Sequence, residues 1–274
     1  MSTTLTTHPN DLIESMTGRR HLSWSQLQSF RRCPRQWHYS HVEHAEPEFV
    51  SVALLLGSGF HAAAQHYYEQ RLAGGTTDID TLKDVFTTTW SAESTERDRE
   101  VKYGKDDDQD TLADLARWMF ESFLASDLAN LPGDLIAIEE TVKGTIHSEM
   151  PDLMARIDVA WVDDAGTHLM DLKTARSRWS NRTAQDNAEQ LLLYHRLVRD
   201  LDPDQDLQLH FGVVTKAKTP AVQKLDFEVD EGRVERSIDL MLPVWNAMQA
   251  GVDYANPNPM NCSGCGFRGR CPAG

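Results

Sequence analysis

Cys33 stands near the front of the chain, while Cys262, Cys265 and Cys271 form a C-x2-C-x5-C tail within its last thirteen residues. A site shared by all four thiols has to bring the two ends of a 274-residue chain together, so the thiols act as a clasp on whatever lies between. A chain of this length buries a sizeable core, and one elaborated domain around one active centre is expected rather than two small ones. The first ten residues are polar, no basic start leads into an apolar run, and no later segment reaches the length of a bilayer span. A soluble, cytoplasmic protein is the expectation. In that reducing setting four cysteines hold metal more readily than they form two disulfides.

The net charge of -15, from 42 acidic and 27 basic residues, argues against a protein that coats nucleic acid without selection. The charge is unevenly spread. Acid concentrates in residues 93–114 and 200–206, both read as solvated faces or loops. Residues 173–182 contain Lys173, Arg176, Arg178 and Arg182 with no carboxylate, and Arg31, Arg32 and Arg35 surround Cys33. Local positive ground for phosphates is therefore present. Trp179, among these arginines, is a candidate stacking residue for a single strand, with a core or helix-capping role as the alternative.

Residues 1–20 are expected to form a flexible leader and residues 21–274 a single domain: a helical part over 21–130, a core over 131–250 and a cysteine tail over 251–274. Ser23 and Ser25 are alternative N-caps for a helix with Trp24, Leu27 and Phe30 that delivers Cys33. Residues 54–72 read as a helix carrying His61, with Gly57 and Gly59 near its start, and two helical patterns follow over 81–129. Residues 135–138, 141–146, 155–162 and 167–172 have the lengths and turn signals of a strand meander, with a hairpin at Asp163-Asp164-Ala165-Gly166. Residues 184–201 return to helical period, 207–215 and 221–229 read as strands, and 234–248 as a long helix.

Asp158 and Asp171 fall at the inner ends of two neighbouring expected strands, where converging carboxylates suit a hard divalent cation such as magnesium or manganese. Lys173, two residues beyond Asp171, shares its face of the strand. It is placed to orient or deprotonate an attacking water and to balance charge in the transition state. Taken alone, Asp-x-Lys is as well explained by a strand-end ion pair, and His61 by a satisfied core histidine.

The order of the elements narrows the choice. Helical His61 is followed by Arg156-Ile157-Asp158, then Met170-Asp171-Leu172-Lys173, then Gln190 and Tyr194 in a Gln-x3-Tyr pattern. In this order the chain resembles the RecB-like branch of the PD-(D/E)xK nuclease superfamily, from Leu22 to Cys271. More narrowly, it is similar to the cysteine-containing exonucleases related to the CRISPR-associated RecB-like proteins and the AddB nuclease domain, often found in phages. The resemblance implies an α/β fold: a restriction-endonuclease-like core with a mixed central sheet flanked by helices, an N-terminal helical region and a C-terminal cysteine clasp. It implies that His61, Asp158, Asp171 and the backbone carbonyl of Leu172 ligate Mg2+ or Mn2+, and that Lys173 is the catalytic lysine. Gln190 and Tyr194, four apart on one helical face, would touch the substrate or brace that lysine. Ala155 stands where the family usually has glycine, and Asp171 where many relatives have glutamate. Glu139 or Glu140 is a further candidate for the metal.

For Cys33, Cys262, Cys265 and Cys271 the resemblance implies a structural 4Fe-4S cluster. Zinc is the rival, although structural zinc sites usually show two paired C-x2-C knuckles where this chain has one. His38, His41 and His44 are alternative ligands close to Cys33. The implied activity is that of a Mg/Mn-dependent DNA exonuclease acting on single strands or DNA ends in recombination, repair or phage DNA processing. The alternative is a non-catalytic DNA-binding subunit with a structural metal cluster. DNA is the expected partner and a membrane is not. A homo-oligomer, ring-shaped in related nucleases, is an open option.

Overall fold

The computed structural model describes residues 7–95, 100–104, 108–201 and 206–273. Pro9, whose fixed φ suits a first helical turn, opens α1 (Pro9–Thr17), which closes at Gly18 in the left-handed region. Ile13 is fully buried, and Asn10 exchanges hydrogen bonds with Asp152 at 2.8 and 2.9 Å. The described part of the expected leader is therefore an ordered helix, held by Ile13, by Leu12 and Met16 packed against the same core, and by the polar tie to Asp152; residues 1–6 lie outside the described residues. β1 (Leu22–Ser23) leads into α2 (Trp24–Arg32). Ser23 rather than Ser25 is the cap: its hydroxyl accepts the Gln26 N–H while the Gln26 side chain accepts the Ser23 N–H.

After α3 (Pro34–Trp37) and a π-helical stretch at His38–Val42, β2 (Phe49–Ser51) pairs in parallel with β3 (Glu100–Lys102). Between them lie α4 (Val52–Leu72) and α5 (Ile79–Thr95), and α6 (Gln109–Leu124) follows. α4 starts two residues earlier than its apolar pattern because the Ser51 hydroxyl accepts the Leu54 N–H. It passes through Gly57-Ser58-Gly59 as unbroken helix. Gly59 marks a close approach: a Cβ there would lie 2.5 Å from the Phe86 ring of α5.

The main sheet contains β1, β4 (Asp134–Gly144), β5 (Leu153–Asp163), β6 (Gly166–Ala175), β7 (Leu207–Thr215) and β8 (Val222–Phe227). The two strands expected over 135–138 and 141–146 are one, β4, with a register shift between Leu135 and Ala137 and a positive φ of 52° at Glu139. At the β5–β6 hairpin the Asp163 carboxylate accepts the Ala165 N–H at 2.8 Å, and Gly166 takes a φ of 123°. β6 and β7 run parallel, which needs a crossover. It is made by α7 (Asn181–Asp186) and α8 (Glu189–Leu201) where one helix over 184–201 is expected. Ser180 caps α7 through the Thr183 N–H, and the Asn187 amide donates to the Thr183 carbonyl, ending the helix before Ala188. α9 (Glu231–Gln249) and the short α10 (Pro259–Cys262) complete the chain. Of the two acidic stretches read as loops, residues 96–99, 105–107 and 202–205 lie outside the described residues.

β5 organises the site. β4 runs along one of its edges, and the other edge is shared: β1 pairs with Leu153 and Met154, and β6 pairs from Val159 to Asp163. Residues 155–158 have no strand on that second edge among the described residues, and from Asp171 onward β6 continues beside β7 alone. The sheet opens there like a fork.

Each face of the sheet is covered by helices. One core gathers Ile13, Leu27, Leu191 and Trp245 beneath α1, α2, α8 and α9; the other gathers Phe60, Phe86, Phe120 and Trp161 beneath α4, α5 and α6. Burial of each such side chain stabilises by roughly 1.5–3 kcal/mol, so both helical layers are fastened to the sheet that carries the site. A polar row whose two histidines are buried also crosses the sheet, from Asp163 to His168 (2.7 Å), His168 to His210 (2.9 Å) and His210 to the exposed Asp226 (2.7 Å), with Trp161 stacked on both rings. No helix among the described residues is long and apolar enough to cross a membrane.

Candidate active site

Val159 and Met170 are the last paired residues of the β5–β6 ladder, so the next two in register, Asp158 and Asp171, stand where the fork opens. In place of a ladder bond, the Leu172 N–H donates to Asp158 Oδ2 at 2.6 Å. The N–H and C=O of one strand residue face the same neighbour, so the Leu172 carbonyl faces β5 as well. On the other side of β5, Glu139 is the residue in register with Asp158, between the pairs Ile138–Val159 and Glu140–Ile157. Glu140 is exposed, whereas Glu139 is half-buried. The left-handed backbone at Glu139, a strain of about 1–3 kcal/mol for a non-glycine residue, is held by its ion pair with Arg156.

His61 descends from α4 into the fork, with Nδ1 3.8 Å from Asp158 Oδ2. Donor atoms of His61, Glu139 and Asp158 all lie within 4.8 Å of one another. Glu139 thus joins the group, and Glu140 does not. Burial drives the three toward their neutral forms: it lowers the His61 pKa and raises those of Glu139 and Asp158, the last also through the charge of Asp171. A crowded acidic site of this kind gains from a cation; its two carboxylates and the backbone carbonyl suit magnesium or manganese, and the neutral imidazole adds a softer nitrogen donor. The residues fit the metal.

Asp171 is only 4% exposed, and its Oδ2 lies 2.6 Å from Lys173 Nζ, outside good hydrogen-bond alignment. Its carboxylate is turned to the lysine, and the tight donor group contains Glu139 where the sequence points to Asp171. Lys173 Nζ donates to Gln190 Oε1 at 2.9 Å, and Gln190 Nε2 donates to the Tyr194 hydroxyl at 3.1 Å. The two side chains thus form a hydrogen-bonded chain that ends on the lysine. The break before α8 makes this possible by setting Gln190 on that helix's first turn. Burial pushes the Tyr194 pKa to about 12, so its hydroxyl stays neutral.

Thr174 and Lys216 also line the pocket, with Arg156 and the Gly57 face of α4. The family pattern quoted above does not include them. Lys216 follows β7 directly, and only the parallel pairing of β6 with β7 brings it here. Arg176, Arg178 and Arg182 are exposed beyond the end of β6. Trp179 is partly buried: its ring packs edge-on against Phe211 at 5.1 Å, and Gln223 of β8 holds its backbone N–H and carbonyl at 2.9 and 3.0 Å.

The four cysteines line one pocket. Asn256 and Asn261 donate their amides to the Arg32 carbonyl at 2.9 and 3.0 Å, Arg35 pairs with Asp253 at 2.7 Å, and Arg270 pairs with Glu43 at 2.6 Å. Burial raises the Cys265 pKa, and the three other thiols add to it. His38, His41 and His44 stand outside the pocket lining; His41 is against Trp37 at 5.9 Å and His38 against Glu43 at 3.4 Å.

Residues 21–272 match the family described as the PD-(D/E)XK nuclease superfamily. Among solved structures, a candidate exonuclease from Eubacterium rectale is similar with 12% identity and a TM-score of 0.55, over 95% of this chain and 90% of that one. The SSO0001 protein aligns at 15% identity over 91% and 95% of the two chains, with a TM-score of 0.34. No curated protein matches the sequence.

Proposed function

The chain belongs to the PD-(D/E)XK nuclease superfamily, and on that premise we propose that it is a Mg/Mn-dependent DNA exonuclease acting on single strands or DNA ends. The observation that carries this reading is the cluster of His61, Glu139 and Asp158 in the fork, with the Asp171–Lys173 pair beside it. The name of the Eubacterium rectale relative agrees with action at ends. Recombination, repair or phage DNA processing are the settings in which RecB-like enzymes of this kind act.

His61, Glu139, Asp158 and the Leu172 carbonyl would hold the ion, with Asp171 across the fork as a further ligand. When bound, the ion supplies Lewis-acid polarisation of a phosphoryl oxygen and a lowered pKa for bound water. The chain's own part is positional. The Leu172 N–H fixes the Asp158 carboxylate. Asp171 and Gln190 hold the Lys173 ammonium on two sides, and Tyr194 in turn holds Gln190. A lysine fixed in this way orients the attacking water and offsets charge developing on the phosphoryl oxygens, without reorganising during the reaction. Arg176, Arg178 and Arg182 supply exposed cations for the DNA backbone outside the pocket.

The four thiols are read as ligands of a structural 4Fe-4S cluster, as in the cysteine-containing RecB-like exonucleases. The single C-x2-C knuckle of this chain, where structural zinc sites usually show two, supports a cluster over zinc. Cluster loading and closure of the chain ends would then be coupled.

Anaerobically purified protein, assayed on linear DNA labelled at either end and on circular single-stranded DNA, tests the reading. Release of label from ends, lost with chelator and in Lys173→Ala, is expected, together with iron and sulfide in equal amounts. Folded protein inert on all substrates with both metals would leave only the non-catalytic DNA-binding alternative.

A further inference from the structure

Lys216 is a pocket cation without an ion-pair partner among the described residues. It lines the pocket with one other cation, Arg156, and with the carboxylates Glu93, Glu139 and Asp158. Arg156 is matched by Glu139, and Lys173, beside the fork, by Asp171, whereas no carboxylate of the described residues lies within ion-pair distance of the Lys216 ammonium. Its backbone is well fixed: the Lys216 N–H donates to the Ala175 carbonyl at 2.7 Å, extending the β6–β7 pairing one step past Ala175–Thr215. It therefore sits on the strand next to the one carrying Asp171 and Lys173, at the same end of the sheet.

Partial burial, with Arg176 nearby, lowers the Lys216 pKa. The charged form is thus disfavoured where it stands, and an incoming anion would relieve that cost. Lysine is a common phosphate partner, acting as a compact point charge.

From this geometry we infer that Lys216 is a substrate-positioning residue that grips a phosphate of the DNA strand next to the bond being hydrolysed. The inference rests on the nuclease reading above and extends it to a residue outside the family pattern. The role belongs to binding and alignment, since Lys173 already occupies the position beside the reacting group.

The test compares Lys216→Ala, Lys216→Met and Lys216→Arg with Lys218→Ala, an exposed lysine two residues further along the same loop. Steady-state cleavage of a fluorescein-labelled single-stranded oligonucleotide gives kcat and KM, and anisotropy with Ca2+ in place of Mg2+ gives Kd across a salt series. In Lys216→Ala and Lys216→Met, KM and Kd should rise about tenfold, as for one lost charge-assisted contact, with kcat nearly unchanged. The slope of log affinity against log salt should fall by about 0.7, one phosphate's share on a single strand. Lys216→Arg should recover most of the affinity, and Lys218→Ala should match wild type. Lys216→Met should also unfold at a higher temperature than wild type, the opposite of a structural lysine's behaviour. Intact cleavage with KM, Kd and salt slope unchanged in Lys216→Ala and Lys216→Met overturns the inference alone. A wild-type protein that neither binds nor cleaves the oligonucleotide overturns the nuclease reading and this inference with it.

Discussion

Gly57 and Gly59 lie on the same helix, two residues apart, and replacing each by alanine should move stability in opposite directions. Either replacement gains about 0.8–1.0 kcal/mol of helix propensity, because neither backbone is in the left-handed region. Their surroundings differ. A Cβ on Gly57 meets Thr174 Oγ1 at 3.4 Å, an ordinary contact, whereas a Cβ on Gly59 falls 2.5 and 2.7 Å from two carbons of the Phe86 ring. That ring is buried between Phe120 and Trp90, with centroids at 5.9 and 5.7 Å, and has no free direction of retreat. Overpacking of this kind costs about 1–3 kcal/mol. The propensity gain cancels between the two variants, so the gap between them is the overpacking cost itself. At roughly 2 °C per kcal/mol for a chain of this size, the melting temperatures should differ by about 2–6 °C. Urea denaturation followed by circular dichroism gives the same comparison at equilibrium. Equal midpoints for the two variants, or a more stable Gly59→Ala, would refute the close α4–α5 approach and with it the placement of His61.

Other outcomes follow from the site and the core. Glu139→Gln should weaken the dependence of cleavage on Mg2+ by tenfold or more, while Glu140→Gln leaves it unchanged; metal titrations of the rate decide between the two carboxylates. Gln190→Ala removes one hydrogen bond from a charged group, about 1.5–3 kcal/mol, so kcat should fall about 10- to 100-fold with KM little changed; a fall in KM-controlled binding alone would contradict the bracing role. Acid should destabilise the fold between pH 6.5 and 4. Burial lowers His210 and His41 to about 4, so over that window the unfolded chain binds protons that the native state does not. Their stabilisation is complete above pH 6.5 and lost on descent toward pH 4. Urea midpoints should fall across this range, less steeply in His210→Gln; a flat profile would show that His210 and His41 are not buried in neutral form.

Much of the layout was legible because β7 and the β5–β6 hairpin carry strong local signals, and because Asp158, Asp171, Lys173, Gln190 and Tyr194 sit in a recognisable order. The misses have physical causes. α1 was hidden by the polarity of residues 1–20, in which only Leu12, Ile13 and Met16 of the helix reach the core. The division of 184–201 depends on Asn187 turning back to Thr183, a choice no hydrophobic period records. Glu139 and Glu140 are chemically identical in sequence, and only an unfavourable backbone angle turns the first inward. The cation Lys216 became visible only through the parallel pairing of β6 with β7.

The ties from Arg32, Arg35 and Glu43 to Asp253, Asn256, Asn261 and Arg270 set a schedule for biosynthesis. A ribosome delivers the first set of these partners long before the second, so the nascent polypeptide must wait with α2 and α3 uncapped by their mates. Vectorial folding can assemble the sheet during translation, but completion comes only after residue 270 has cleared the exit tunnel. Ribosome-stalled chains of increasing length should therefore remain protease-sensitive around residues 32–48 until that last stretch emerges.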